Sequence, residues 1–174
     1  MTSYKLKTVQ IRLVEERDAE FILSCRLDDN LSTFLSKIDP DPAAQRLWIR
    51  KYKISEQNGE QYYFIIERLD GTPCGTIRIY DILSDSFCWG SWILNKDKTR
   101  YAALESALLV YKFGFDILGY QKSHFDVMKG NTKVISFHKK MGAVVVSEDD
   151  DNYYFEISKS KVTQMTSGLL EKIA

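Results

Sequence analysis

The stretch FCWGSWILNKDKTRYAALESALLVYKFGFDILGYQKSHFDVMKGNTKVISFHKKMGA, from Phe87 to Ala143, decides how this chain folds. It begins with an apolar, strand-like run, continues through a charged loop, and enters a long helix that opens on small residues. A second short strand and a second helix follow directly. Strand, helix and strand within so short a span predict a parallel crossover inside a sheet.

Apolar periodicity and glycines define the elements of this stretch. The longest helix carries Leu104, Leu108, Tyr111 and Phe115 at spacings of 4, 3 and 4 residues, which places them on one buried face. A glycine follows each helix, as is common at helix ends. The predicted elements are a strand at Phe87–Leu94, a helix at Ala102–Leu118, a strand at His124–Val127 and a helix at Thr132–Met141.

The flanking segments complete an α/β fold. Before the stretch, we predict a strand at Gln10–Val14, helices at Glu15–Arg26 and Ala43–Glu56, and strands at Tyr62–Arg68 and Cys74–Ile82 joined by an Asp-Gly hairpin turn. After it, we predict strands at Ala143–Ser147 and Asn152–Ile157 and a weakly helical tail at Lys159–Ala174. The order is β-α-α-β-β-β-α-β-α-β-β. Short turns between most strands predict a mixed, mainly antiparallel sheet flanked by helices.

Length and composition narrow the class of protein. A chain of 174 residues predicts a single domain, residues 1–174. Its 24 basic residues balance its 24 acidic residues, and this lack of net positive charge does not favour a nucleic-acid binder. No apolar run approaches the roughly 20 residues of a membrane span, and the N-terminal residues lack the pattern of a signal peptide. The three cysteines lack Cys-x-x-Cys spacing, so we expect reduced thiols, no metal site and a cytoplasmic location.

The charged loop Asn95–Arg100 is the first candidate for binding chemistry. It precedes a helix N-terminus, where unpaired N–H groups and the helix dipole favour an anion such as phosphate. Lys98 and Arg100 add positive charge, and Ala102 and Ala103 allow the backbone to approach a ligand closely. A solvated charged turn before an ordinary helix would explain the same residues. The glycine motifs of nucleotide-binding P-loops and dinucleotide folds are absent.

Asn131 and His138, at the start and in the middle of the last predicted core helix, form the second candidate. A helix-capping role would account for Asn131, and packing would account for His138. His124, the other histidine, is interpreted as a core or surface residue. Cys88 lies in a predicted strand without a recognisable histidine partner, so acyl-cysteine chemistry is disfavoured.

These motifs resemble the GNAT superfamily of acetyl-CoA-dependent N-acetyltransferases, and most closely its ribosomal-protein and nucleotide-sugar amine branch. Lys98, Tyr101 and Ala103 match the family's Arg/Gln-x-x-Gly-x-Gly/Ala turn, which opens a long helix and binds pyrophosphate. Asn131 and the segment Phe137–Ala143 match its Asn and Leu-Tyr-x-Lys-x-Gly-Phe signature. The residues Arg26, Asn30, Gln45 and Trp48 resemble an N-terminal pattern of the sugar-amine branch. The order of elements also agrees with the family.

The resemblance implies a cofactor site, with acetyl-CoA as co-substrate. Its pantetheine would lie along the strand that ends at Leu94, and the N–H near Trp92 would polarise the thioester carbonyl. The implied cofactor-binding residues are Trp92, Ile93, Leu94, Lys98, Thr99, Arg100, Tyr101, Ala102, Ala103 and Asn131.

The sequence departs from the family pattern at two positions. Tyr101 replaces a glycine that permits close backbone approach. His138 stands where many members have a tyrosine that protonates the departing thiolate. Because the unperturbed pKa of histidine is about 6.5, the resemblance implies His138 as the general acid.

The acceptor site is less well defined by the sequence. Implied acceptor-binding residues are Arg26, Asn30, Phe34, Tyr80 and Asp81, although core packing would also explain Phe34, and a surface charge would also explain Arg26. The base that takes the amine proton is left open among Asp81, Glu67, Tyr80 and a chain of water molecules. The acidic run Glu148–Asp151 could attract a cationic substrate, but it is more typical of a solvated hairpin turn.

The sequence therefore predicts an N-acetyltransferase that acts by direct attack of a primary amine, most simply a nucleotide-linked amino sugar. A protein N-terminal acetyltransferase and an aminoglycoside-type acceptor are alternatives. Two further alternatives are a non-catalytic CoA-binding regulatory module, which Tyr101 suggests, and a structural protein without a ligand. A small-molecule acceptor is the expected partner, with no nucleic acid or membrane, in a monomer or homodimer.

Overall fold

The computed structural model of the chain describes residues 4–173, so the end of the predicted tail at Ala174 lies outside the described residues. The strands are β1 (Tyr4–Lys5), β2 (Val9–Leu13), β3 (Tyr62–Arg68), β4 (Pro73–Tyr80), β5 (Ser86–Leu94), β6 (Lys122–Met128), β7 (Val144–Glu148) and β8 (Asn152–Ser158). The helices are α1 (Ala19–Arg26), α2 (Asp29–Ser32), α3 (Pro42–Gln57), α4 (Ala102–Lys112), α5 (Thr132–Met141) and α6 (Lys159–Ile173).

The described strands form one sheet in the order β1-β2-β3-β4-β5-β6-β8-β7. All neighbouring strands are antiparallel except β5 and β6, which are parallel and connected through α4. The predicted mixed, mainly antiparallel sheet flanked by helices is therefore confirmed. The parallel pair lies in the middle of the sheet, between β4 and β8.

The sheet has an apolar core on each face. Along β3, Phe64 and Ile66 belong to the larger core, which includes residues of α4, α5 and α6, while Tyr63 and Ile65 belong to a smaller core with α1 and α3. This alternation follows from the two-residue period of a strand. Helices on both faces explain why β3 is almost continuously apolar rather than alternating with polar residues.

Several predicted boundaries change in the structure. The helix predicted at Ala102–Leu118 becomes α4 followed by a π-helical turn at Phe113–Ile117. The strand predicted to reach Ile82 ends at Tyr80, because Asp81 adopts a positive φ of 46°. The elements β1 and α2 are too short for a periodic pattern to indicate them. By contrast, β3 and α5 have the predicted bounds.

The predicted tail helix is confirmed as α6 over the described residues. Its Leu169 and Leu170 pack against the larger core. None of the helices in the described part of the chain is long and apolar enough to cross a membrane.

Candidate active site

The two parallel strands in the middle of the sheet separate along most of their length. Pairing between β5 and β6 is limited to Ser86–Cys88 opposite Lys122–His124. Beyond Cys88, the edge of β5 that faces β6 has no strand partner among the described residues. Backbone N–H and C=O groups on such an edge are available to an extended ligand in the same way that they are available to another strand.

A β-bulge lies on the opposite edge of β5. Thr76 of β4 is opposite Ile93 and Arg78 is opposite Gly90, so β5 contains one extra residue between these pairs. Ser91, within the bulge, has a φ of 48°. The bulge turns the chain at the point where β5 and β6 have already separated, and it redirects the backbone around Trp92.

The gap between β5 and β6 is part of a cavity of about 480 Å³. Of the sequence-predicted site residues, the structure brings eight together in its wall: Asn30, Phe34, Tyr80, Trp92, Ile93, Leu94, Asn131 and His138. They come from three separate parts of the chain. The volume lies within the usual range for small-molecule sites.

His138 is enclosed in the wall of this cavity by aromatic rings. It is 4% exposed, and its ring centroid is 4.1 Å from that of Phe125 and 5.2 Å from that of Trp89. Its Nδ1 is buried and has no hydrogen-bond partner among residues 4–173. Burial lowers the pKa of His138 to about 3. The expected pKa near 6.5 is therefore wrong for this environment, and the imidazole is neutral at physiological pH.

Asn131 is the residue preceding α5, but its side chain makes no capping hydrogen bond to that helix. Because Asn131 also lines the cavity, its amide is available to a ligand. The capping explanation that the sequence left open is not what the structure shows.

The first turn of α4 follows the open end of β5. Lys98, Thr99, Arg100, Tyr101, Ala102 and Ala103 lie outside the cavity lining but come shortly after Leu94, which is in it. Within the described residues, the N–H groups of Tyr101 and Ala103 make no hydrogen bond to the backbone. Tyr101 has a φ of −106°, so this position does not require glycine.

The buried carboxylate of Glu105 helps to hold the loop before α4 in place. Glu105 is fully buried, and its Oε1 accepts a hydrogen bond of 2.9 Å from the N–H of Thr8, while the Thr8 hydroxyl donates to its other oxygen. The hydroxyls of Thr8 and Thr99 are 2.7 Å apart. These contacts hold the loop before α4 against the beginning of β2, leaving the exposed Lys98 and Arg100 free to meet an anion.

Asp81 was expected to bind the acceptor, but it does not line the cavity. Its Oδ2 is 3.0 Å from Nε2 of His124, and Nδ1 of His124 is 2.6 Å from the hydroxyl oxygen of Ser86. The Ser123 hydroxyl donates to the carbonyl of Phe87 at 2.8 Å. These bonds connect β5 and β6 where they are still paired, so Asp81 and His124 belong to the closed end of the gap.

Glu67 is also distant from the cavity lining. Its carboxylate accepts hydrogen bonds from Gln10 at 2.7 Å and from Arg12 at 3.1 Å. As a candidate base it is already satisfied by a structural network, and it lines neither this cavity nor the one discussed below.

Cys88 is buried, and burial raises its pKa to about 12. A thiol that remains protonated at neutral pH is a poor nucleophile. This agrees with the interpretation that Cys88 is structural.

Asp126 is a functional candidate that the sequence analysis missed. It is exposed and lines the cavity together with Tyr80. Burial, the neighbouring Cys88 and the negative charge of Asp126 raise the pKa of Tyr80. The alternation of side chains along β6 could have indicated Asp126, because His124 and Asp126 must lie on the same side of the sheet.

Within the described residues, no group of three or more His, Cys, Asp or Glu side chains is arranged to hold a metal ion. The cavity instead offers a strand edge, the amide of Asn131 and the buried imidazole of His138, and the start of α4 follows shortly after Leu94 in its wall. An elongated ligand that combines a peptide-like chain with a phosphate group fits this set of features.

A sheet split at its parallel pair, with a helix N-terminus beyond the split, defines an acyltransferase of the GNAT type. Residues 8–144 match the family model described as an acetyltransferase (GNAT) domain. The chain belongs to this family, and it is an acetyltransferase. No functionally curated protein matches its sequence.

Solved structures agree with this assignment. FdhC, determined in its apo form and described as a nucleotide-linked sugar GNAT, is 54% identical over 97% of each chain, with a TM-score of 0.88. The ribosomal-protein-S5-alanine acetyltransferase of Vibrio fischeri is 13% identical over 91% of this chain and 97% of its own, with a TM-score of 0.78. The spermidine N-acetyltransferase of Vibrio cholerae, in complex with CoA and spermine, is 17% identical over 89% and 98%, with a TM-score of 0.75. The last two are similar in fold alone.

Proposed function

We propose that this chain transfers an acetyl group from acetyl-CoA to the primary amine of a nucleotide-linked amino sugar. The observation that carries the proposal is the 54% identity, over 97% of each chain, with a nucleotide-linked sugar GNAT. The cavity between β5 and β6 is consistent with it, because its wall includes Asn30 and Leu31 of α2 as well as Leu94, which shortly precedes α4.

Acetyl-CoA would supply an activated acetyl group as a thioester. The open edge of β5 at Trp92, Ile93 and Leu94 would bind its extended pantetheine, with Asn131 on the opposite wall. Lys98 to Ala103 would bind the pyrophosphate through N–H groups and cationic side chains. Tyr101 adopts an ordinary φ, so the backbone conformation here does not require glycine, and the effect of its side chain on cofactor approach is decided by the turnover assay below.

Asp126 is the residue we propose as the acceptor of the amine proton. Its carboxylate lines the cavity and is exposed, so a proton that it receives can pass to solvent. His138 would act as a neutral hydrogen-bond donor to the departing sulfur rather than as an imidazolium acid, because its pKa is lowered to about 3. Tyr80, whose hydroxyl lies beside Gly90, would close the acceptor side.

The test is a free-thiol release assay with acetyl-CoA and a panel of amines. The panel contains nucleotide-linked amino sugars, free amino sugars, a peptide with an N-terminal alanine, an aminoglycoside and spermidine. We expect the highest kcat/KM with a nucleotide-linked sugar. Preferred turnover of the peptide would instead establish the protein N-terminal alternative, and CoA binding without turnover of any amine would establish a regulatory module.

The role of Asp126 has its own prediction. Asp126→Asn should lower kcat by about 100-fold or more near neutral pH, since general-base catalysis typically contributes that much. Asp116→Asn is the matched control, because Asp116 is an exposed carboxylate that pairs with Lys159 away from the cavity. Equal kcat values in the two variants would remove Asp126 from the mechanism and leave water as the base.

A further inference from the structure

A second cavity, of about 410 Å³, lies on the opposite face of the sheet from α4. It is enclosed by α1, the segment before α3, α3 itself and the face of β3 and β4. Two arginines, Arg26 and Arg78, are in its wall, with Trp48, Tyr63 and Ser91. Ser91, the bulge residue of β5, also lines the cavity between β5 and β6, so it lies in the wall of both spaces.

The two guanidinium groups have no carboxylate partner among the described residues. Arg26 donates to the carbonyl of Ser36 at 2.6 Å, and Nε of Arg78 donates to the side-chain oxygen of Gln61 at 2.9 Å. The carboxylate in the cavity wall, that of Asp39, accepts from the N–H of Asp41 at 2.9 Å. Burial and the positive charge of Arg26 contribute to lowering the pKa of Arg78. Two mutually repelling cations around one cavity are stabilised by an anion between them.

Unpartnered donors point to the same conclusion. Among residues 4–173, the Nε of Arg26 and the hydroxyl of Tyr63 are buried and have no hydrogen-bond partner of good geometry. Burial raises the pKa of Tyr63, and the nearby side chains of Arg26 and Thr76 oppose that rise. Tyr63 is only 2% exposed. Buried polar groups in folded proteins are rarely left unpaired, so two of them in one cavity indicate that a ligand completes their hydrogen bonds.

An aromatic wall adjoins the arginines. Trp48 is 38% exposed, and the guanidinium of Arg78 lies 5.6 Å from its ring centroid. Trp48 also stacks on Tyr52, with ring planes 3° apart. Arg78 is also 5.0 Å from the ring centroid of Tyr80, which lines the first cavity. Arg78 therefore connects the aromatic wall with the proposed reaction centre.

Building on the proposed function, we propose that this second cavity binds the diphosphate group of the acceptor. Arg26 and Arg78 neutralise its charge, and the hydroxyl of Tyr63 donates to one of its oxygens. The exposed part of the Trp48 ring contacts the attached nucleobase or sugar. The amino sugar then reaches the cavity between β5 and β6 past Ser91.

Steady-state kinetics with matched acceptors test this site. We expect Arg78→Gln to raise the KM of a nucleotide-linked amino sugar about 10- to 100-fold, the loss typical of a charge-assisted hydrogen bond, while kcat changes by less than about threefold. The KM for the same amino sugar without its nucleotide should not change. Arg46→Gln is the control, because Arg46 is an α3 arginine outside this cavity. An unchanged KM for the nucleotide-linked acceptor in Arg78→Gln would overturn the proposal.

Inhibition of the wild-type enzyme gives a test that does not depend on a variant folding correctly. We expect inorganic pyrophosphate and the diphosphates of uridine, thymidine and guanosine to compete with the acceptor. We also expect them to quench the fluorescence of Trp48. Trp48→Phe should abolish that quenching. Competition with acetyl-CoA alone would place the anion at the start of α4 and would contradict the proposed site.

The two proposals fail in different ways. If the wild type acetylates no nucleotide-linked sugar, the proposed function fails, and calorimetric titration of the nucleoside diphosphates into wild type and Arg78→Gln decides the anion site separately. Binding lost in Arg78→Gln supports the site, and equal binding overturns it. If the wild type is active but Arg78→Gln behaves like Arg46→Gln, only the anion site fails.

Discussion

At the scale of single residues, His138 shows how surroundings change chemistry. An exposed histidine titrates near neutral pH, but the rings of Trp89, Phe125 and Phe155 replace the water that would solvate an imidazolium. Burial lowers the pKa of His138 to about 3. A role in acetyl transfer must therefore use the neutral ring, and His138 should produce no limb near pH 6.5 in the pH–rate profile.

The same shift predicts a pH dependence of stability. The unfolded chain binds a proton at His138 below about pH 6.5, whereas the folded chain does so only near pH 3. Proton binding to His138 therefore does not change the free energy of unfolding above about pH 6.5. As the pH falls from there toward 3, it lowers the free energy of unfolding by up to about 1.4 kcal/mol per pH unit. Between about pH 7.5 and about pH 5.5, the free energy of unfolding should fall about 1 kcal/mol more in wild type than in His138→Phe.

Urea unfolding of both proteins at the two pH values measures this difference. Carboxylates that titrate in the same range affect both proteins equally, so they cancel in the comparison. The same loss of stability in wild type and His138→Phe would show that the imidazole is hydrated in the folded state.

The residue scale also shows what the sequence could indicate about the site. Lys98, Asn131 and His138 were predicted because they occupy motif positions that resemble a family. Arg78 and Asp126 were missed because neither occupies a motif position, although the alternation along β6 places Asp126 on the same side of the sheet as His124. Their importance depends on which cavity they line, and that depends on distant parts of the chain.

At the scale of elements, the turn after α4 depends on one close contact. A Cβ atom placed on Gly114 would lie 2.1 Å from Cζ of Phe87. The helix therefore approaches β5 more closely here than any residue with a side chain would permit, within the π-helical turn Phe113–Ile117. A widened turn was not predictable, because the apolar spacing of this segment is also compatible with a continuous α-helix.

Gly114→Ala should destabilise the protein by about 1–3 kcal/mol through overpacking against Phe87. Gly168→Ala is the matched control, because a Cβ there would meet nothing within 4 Å. Gly168 lies inside α6, so this substitution should raise the free energy of unfolding by up to about 1 kcal/mol. Equal urea midpoints for Gly114→Ala and wild type would show that the helix shifts at little cost.

The other elements were predictable to different degrees. Strong periodicity or β-branched composition, as in α5 and β3, was sufficient to define their bounds. The bulge at Ser91 was not predictable, since it is a register shift between two strands and only their pairing reveals it.

At the scale of the whole molecule, the sheet consists of two parts joined over a short distance. Three residues of β5 pair with three residues of β6, and the bonds around Ser86, Ser123 and His124 reinforce this junction. A ligand in the gap would contact both parts at once. Ligand binding should therefore stabilise the entire domain rather than one loop.

Thermal and urea unfolding in the presence of CoA test this expectation. Each tenfold increase of free CoA above its Kd should add about 1.4 kcal/mol to the free energy of unfolding. Lys98→Gln should reduce this stabilisation, and Lys172→Gln, an exposed lysine at the end of α6, should not. No stabilisation of wild type at millimolar CoA would argue against a CoA site.

The sequence by itself determined the order of the longer elements, the helix that begins after the charged loop and the family to which the chain belongs. These features follow from local periodicity, glycine positions and motif spacing, which act over a few residues. Tertiary structure decided the low pKa of His138, the place of Asp81 at the closed end of the gap and the grouping of Arg26 with Arg78. Solvation and cavity shape depend on residues that are distant in the chain, so no local pattern could determine them.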